Sequence, residues 1–158
     1  MQIKKIDGSQ GRSAKDKVPI VGIIELDGKL NAYKVEDLKS HTLTREIIKN
    51  VKESATLYTD EWLGYKGVSK IYDHSIVKHN QSQYVNGRIH INTIEGFWPL
   101  LKRGIYVIYH ATSRKHLQMY VDEFVFRYNT RKHTTENRFN LLLLNLQTKL
   151  TYKTLIHE

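Results

Sequence analysis

Apolar positions change period part-way along the chain. "VPIVGIIEL" (18–26) is a continuous β-branched run, and "KLNAYKV" (29–35) reads as the strand that returns beside it. Asp-Gly at 27–28 predicts the hairpin turn between them, because both residues tolerate positive φ. Leu43, Ile47, Ile48 and Val51 recur at helical spacing, which predicts a helix through "LTREIIKNV" capped by Ser40 or Thr42. "ATLYT" (55–59) and "YDHSIVKH" (72–79) read as further strands. From Asn92 onward the period is helical. Ile94, Phe97, Trp98 and Leu101 form one stripe, and Gly104 closes that helix. A long amphipathic helix spans 113–129 with Ser113 as its cap, another spans 136–150, and "TYKTLI" follows as a tail. Strands come first and helices after, with one helix among the strands. This order predicts an α/β fold, a mixed sheet covered by helices. The opening residues 1–17 are polar, basic and contain Gly and Ser, and read as a flexible arm or loop remnant.

The length of 158 residues suits one domain with a real core. There are no cysteines, which excludes disulfides and thiolate metal sites and points to a reducing cytoplasm. No apolar run reaches the roughly 18–20 residues of a membrane helix. A net charge of +9 and a pI near 9.6 favour a polyanionic partner, of which nucleic acid is the commonest.

Candidate chemistry starts in "LYTDEWLGY" (57–65), where a strand ends in Asp60 and Glu61. Two-metal phosphoryl-transfer sites need carboxylates from different elements, because hard divalent cations prefer oxygen ligands. Asp60 at a strand end suits that role. Glu95 in "HINTIEGFWPLLKRG" is the second candidate, in a first helical turn where the dipole favours an acid. Lys102 lies seven residues on, two turns along the same face, where its cation could hold a DNA phosphate. Each residue also has an ordinary explanation. A strand-end acid caps the next helix, and a first-turn acid or a Glu–Lys pair is common without any metal.

Three segments, "LYTDEWLGYKG", "HINTIEGFWPLLKRGI" and "YHATSRKHLQMYVDEFVFRYNTR", together resemble the DDE transposase domain of ISXO-like bacterial insertion sequences. The resemblance runs in order over roughly residues 11–156. It implies a fold similar to ribonuclease H and retroviral integrase. It implies that Asp60 and Glu95 are the second and third catalytic carboxylates and metal ligands, with Lys102 beside them, and it ranks Glu61 well below Asp60. The implied cofactor is Mg²⁺ or Mn²⁺ in a two-metal site. The implied partners are DNA, both transposon ends and target, and further copies of the chain in an active complex, in the cytoplasm and on the nucleoid. Arg103 in "LLKRG", His79, His90, and Arg127 and Arg131 of "RYNTR" are candidate DNA contacts. The two arginines stand one turn apart if the helix continues that far. Phe97, Trp98, Phe124 and Phe126 read as core.

The chain also departs from that pattern. The family's first catalytic Asp sits on its first strand in a motif like "DETYVGG", which is absent here. Asp7 has the wrong neighbours, Asp16 sits in a polar arm, and Glu25 ends its strand at a turn. The expected domains are an arm at 1–17, a catalytic domain at 18–135, and a C-terminal helix and tail at 136–158. The upstream zinc ribbon is missing as well, so the chain reads as an N-terminally truncated catalytic-domain fragment, and without the first catalytic Asp it is expected to show little or no strand transfer on its own. The alternative is a non-catalytic DNA-binding or oligomerising remnant. A basic RNA-binding protein would show exposed aromatic platforms or Gly-rich RNA motifs, and neither is found. Without the family's central first strand the sheet should have a gap, filled by "MQIKKI" or by another chain in preference to direct closure. Such a chain should be marginally stable and self-associate. Pro99 should bend the Glu95 helix or mark its start.

Overall fold

The computed structural model describes residues 2–6, 18–26, 28–77, 92–110 and 112–145. Five strands form one sheet: β1 (Gln2–Ile6), β2 (Ile20–Ile24), β3 (Leu30–Lys34), β4 (Leu57–Thr59) and β5 (His74–Ile76). Their spatial order is β3-β2-β1-β4-β5. The β1–β2 and β2–β3 pairs are antiparallel, whereas β1–β4 and β4–β5 are parallel.

At the centre of this mixed sheet the expected gap is filled by the chain's own Gln2–Ile6, one of the two outcomes expected there, and what is corrected is the reading of that segment as a flexible arm. Gln2–Ile6, read as part of a flexible arm, is the central strand. It pairs with β2 from Gln2–Ile24 to Ile6–Ile20, and with β4 through Gln2–Tyr58 and Ile3–Thr59. The physical reason is the one that left a gap to be filled: two inner edges with unpaired N–H and C=O groups take up the nearest extended segment. Asp7, Asp16 and the rest of 7–17 lie outside the described residues.

Among the described residues three helices cover the sheet, α1 (Ser40–Asn50), α2 (Asn92–Arg103) and α3 (Leu117–Asn129), and a fourth, α4 (Thr135–Leu144), has no buried residue. β2 is buried along its whole length because both faces are covered. On one face Ile20 and Ile24 pack with Ile94, Phe97, Trp98 and Leu101 of α2 and with Val121 and Phe124 of α3. On the other, Val21 and Ile23 pack with Leu43 and Ile47 of α1 and with Leu57, Tyr65 and Val68. Ile48, expected on the buried face of α1, is instead 47% exposed. Gly22 lets α2 lie close to the sheet: a Cβ there would stand 2.7 Å from Trp98 Cζ2.

Helix ends differ from the sequence reading in detail. α1 is capped at Lys39, and Thr42 Oγ1 instead donates to Asp37 Oδ1 at 2.6 Å. α3 starts at Leu117, with Ser113 Oγ accepting the His116 N–H one turn earlier. Gly104 does not close α2. A π-helical turn, Gly104–Ile108, continues from it, with Tyr109 N–H bonded to the Gly104 carbonyl. A side chain at 104 would collide with the Phe124 ring, so glycine serves packing at that position. Pro99 lies inside α2 and does not start it. The buried stripe of Ile94, Phe97, Trp98 and Leu101 anchors the helix on both sides of the interruption.

Candidate active site

Asp60 follows the last residue of β4 and is half-buried. Its Oδ1 accepts the N–H of Trp62 at 3.2 Å, the local bond by which an Asp two residues back shapes a turn. Thr59, fully buried, fastens the backbone just before it. Its Oγ1 lies 3.0 Å from the Asp60 carbonyl oxygen and 2.8 Å from His74 Nε2 on β5. A hydroxyl has one proton. If Thr59 donates it to the Asp60 carbonyl, His74 must present Nε2–H. Burial lowers the His74 pKa, so the neutral ring is favoured. Sequence reasoning missed this pair, because it depends on β4–β5 pairing.

Tyr65 was also missed. It stands in a 3₁₀ turn (Leu63–Tyr65), is fully buried, and its hydroxyl has no hydrogen-bond partner among the described residues. Burial first, and then the negative charge of Asp60, push its phenol far above the usual range. The only advance signal was its position five residues after Asp60. Glu61 is exposed.

Glu95 lies in the first turn of α2 and is half-buried. Lys102 is half-buried and Arg103 exposed, both in the last turn of that helix, where cations suit the dipole. α2 packs on β1 and β2, and β4 is the other neighbour of β1. Both acids therefore stand on elements that adjoin the central strand. Among the described residues no group of three or more His, Asp or Glu side chains could hold a metal ion.

His79 and His90 lie outside the described residues. Arg127 and Arg131 do not share a helix face, because α3 ends at Asn129. Arg127 donates from Nε and Nη2 to a single oxygen of Glu123, at 3.0 and 2.5 Å. Glu123 also accepts the Tyr109 hydroxyl. The Arg131 guanidinium lies 4.0 Å from the centre of the Tyr128 ring and donates to the Tyr128 carbonyl. Phe97, Trp98 and Phe124 are buried as expected, and Phe126 is half-buried.

Residues 2–129 match the ISXO2-like transposase domain. The chain belongs to that family. A curated relative from Halobacterium salinarum, described as an uncharacterized protein in transposable element ISH50, is 25% identical over 121 residues. That similarity covers 75% of this chain and 41% of the relative, so the chain spans less than half of that protein's length. The ISXO2-like match begins at residue 2, so it takes in β1 as well as the segments around Asp60 and Glu95. No helix among the described residues is long and apolar enough to cross a membrane.

Proposed function

We propose that this chain is the catalytic domain of an insertion-sequence transposase, with a ribonuclease H-like sheet that cleaves DNA and joins its 3′-OH ends. The observation that carries the reading is the sheet order β3-β2-β1-β4-β5, with Asp60 directly after β4 and Glu95 on the helix packed against β1 and β2. Asp60 and Glu95 are the metal ligands. Their chemistry fits Mg²⁺ or Mn²⁺, since both offer hard oxygen donors and Mg²⁺ is commonly held by one or two carboxylates plus substrate phosphates. Asp7, next in sequence after β1, is the acid we assign as the third carboxylate, in place of the family's absent "DETY" motif. This reverses the low rank its neighbours gave it, because a central strand ends immediately before it.

Bound ions would activate water or a 3′-OH for attack and stabilise the departing oxygen. The chain's own residues supply position. The Trp62 N–H and the Thr59 hydroxyl fix the turn that presents Asp60. Lys102, two turns from Glu95, holds a phosphate of the bound strand, and the partners are DNA and further copies of the chain in an active complex.

The test is nicking of supercoiled plasmid by the full chain with Mn²⁺. Asp60→Asn and Glu95→Gln should each lose more than the roughly 10–100-fold typical of outer-shell changes, with circular dichroism unchanged. Asp7→Asn should lose as much. Activity retained in Asp7→Asn alone would remove Asp7 from the set. Activity retained in all three would overturn the active site.

A further inference from the structure

The outer side of α1 carries a cleft that the reading above does not use. Its volume is about 900 Å³, and Ser40, His41, Thr44, Arg45, Ile48 and Lys49 line it, with Gly67 opposite. His41, Arg45 and Lys49 recur every four residues, so they form one stripe on the helix. All three are exposed. Arg45 Nε stands 4.0 Å from Glu46 Oε1, and with the arginine side chain 64% exposed that ion pair is weak. Gly67 brings the chain close to two hydroxyls: a Cβ there would stand 3.1 Å from Thr44 Oγ1 and 3.2 Å from Ser40 Oγ. Ile48, 47% exposed, gives the floor an apolar patch between the basic tips. Lys66 and Lys70, both exposed, extend the positive charge on the far side of Gly67.

We propose that this cleft is a second DNA-backbone site, separate from the one at Glu95 and Lys102. It deepens the transposase reading and rests on it. The spacing argues for a phosphodiester chain. Four helical residues advance about 6 Å. Phosphates of one strand advance about 3.4 Å each along a duplex axis and also turn about it, so neighbours stand farther apart than the rise alone and successive basic tips match successive phosphates. Apolar floor between the tips suits the sugars, and lysine and arginine stems supply more of it. Hydroxyls at the base suit phosphate oxygens. An acidic helix can carry carboxylates at the same four-residue repeat, so the choice of a duplex rests on the net charge of +9 and on the transposase reading. The cleft sits on the sheet face opposite α2, since Leu43 and Ile47 cover Val21 and Ile23 while α2 covers Ile20 and Ile24. The duplex it holds is therefore a segment other than the one lying along α2.

Fluorescence anisotropy of the full chain with a labelled duplex of about two helical turns, without divalent metal, tests this. The double variant Arg45→Glu/Lys49→Glu should bind at least about tenfold more weakly, and its slope of log affinity on log salt should fall by about 2, or 0.9 per lost phosphate. The charge-keeping pair Arg45→Lys/Lys49→Arg should bind as the wild type does. No binding by the wild type even at about 50 mM salt would sink the DNA reading itself. Wild-type binding left unchanged in the double Glu variant would sink the second site alone. Loss of binding to a poly-glutamate peptide, with DNA binding intact, would give the cleft to an acidic protein and overturn the proposal.

Discussion

Thr59 has one proton to give and two acceptors within reach, and that constraint reaches His74. The bond between them holds β5 to the end of β4, next to Asp60. Burial holds the His74 pKa below its ordinary 6.5, so the folded state resists protonation there. The contribution to stability is fully present above pH 6.5, where folded and unfolded chains both carry neutral imidazole. It declines as pH falls from 6.5 through the lower folded value, because the unfolded chain takes up the proton first. The urea midpoint should therefore fall between neutral pH and about 5, the range in which histidine acts as a switch. His74→Gln keeps an amide donor for Thr59 but removes the titration, so its midpoint should vary less over that range. An equal decline in the variant would assign the pH dependence to other groups.

At the scale of elements, β3 is an edge strand, yet its outward backbone groups are not left open. Asn129 of α3 accepts the Leu30 N–H and donates to the Leu30 carbonyl, both at 2.8 Å. Gln118 accepts the Lys34 N–H at 2.7 Å and donates to the Ala32 carbonyl at 3.0 Å. Two amides at opposite ends of α3 thus occupy four of the backbone groups through which another strand would pair. Asn129→Ala strands two part-buried backbone groups and should cost about 1–3 kcal/mol in urea unfolding. Asn129→Asp keeps the acceptor and should cost less. A loss below about 0.5 kcal/mol, the usual range for surface changes, would show that water replaces the amide. Asn129 also marks the limit of sequence reading. "RYNTR" was read for its arginines as phosphate contacts, and the residue between them turned out to lock the sheet edge. The elements β2 to β5 and α1 to α4 were legible, β2 as a continuous apolar run and the helices from apolar positions at helical spacing, although α4 ends at Leu144 and not at 150. Asp60 and Glu95 were legible as motif residues. β1 was legible only as a candidate to fill the central gap and not as a strand from its own pattern, since "QIKKI" carries two adjacent lysines and no turn signal frames it. Caps and the Thr59–His74 bond were not, since each depends on the three-dimensional register of a neighbour.

For the whole molecule, the five residues of β1 decide whether there is one sheet or two pieces. β1 pairs with β2 along its full length and with β4 at two positions, and among the described residues it is the strand that joins the antiparallel hairpin to the parallel half. The helices fix the spacing of the halves: α3 holds β3 through Asn129 and Gln118, while α1 covers Val21 and Ile23 of β2 together with Leu57 of β4. Sliding β2 against β4 directly would have to drag those helices with it and shift register, which moves side chains to the wrong face. A chain lacking residues 1–6 therefore exposes two inner edges, and each buried group left unpaired costs about 1–3 kcal/mol. Against a total stability of about 5–15 kcal/mol, a few such groups suffice to unfold the domain. The full chain should melt in one cooperative transition. The shortened chain should elute as aggregate on size exclusion and show no cooperative melt. If it instead stays monomeric and melts within about 4 °C of the full chain, the shift expected for no more than about 1–2 kcal/mol in a domain of this size, β2 and β4 close on each other and β1 is dispensable.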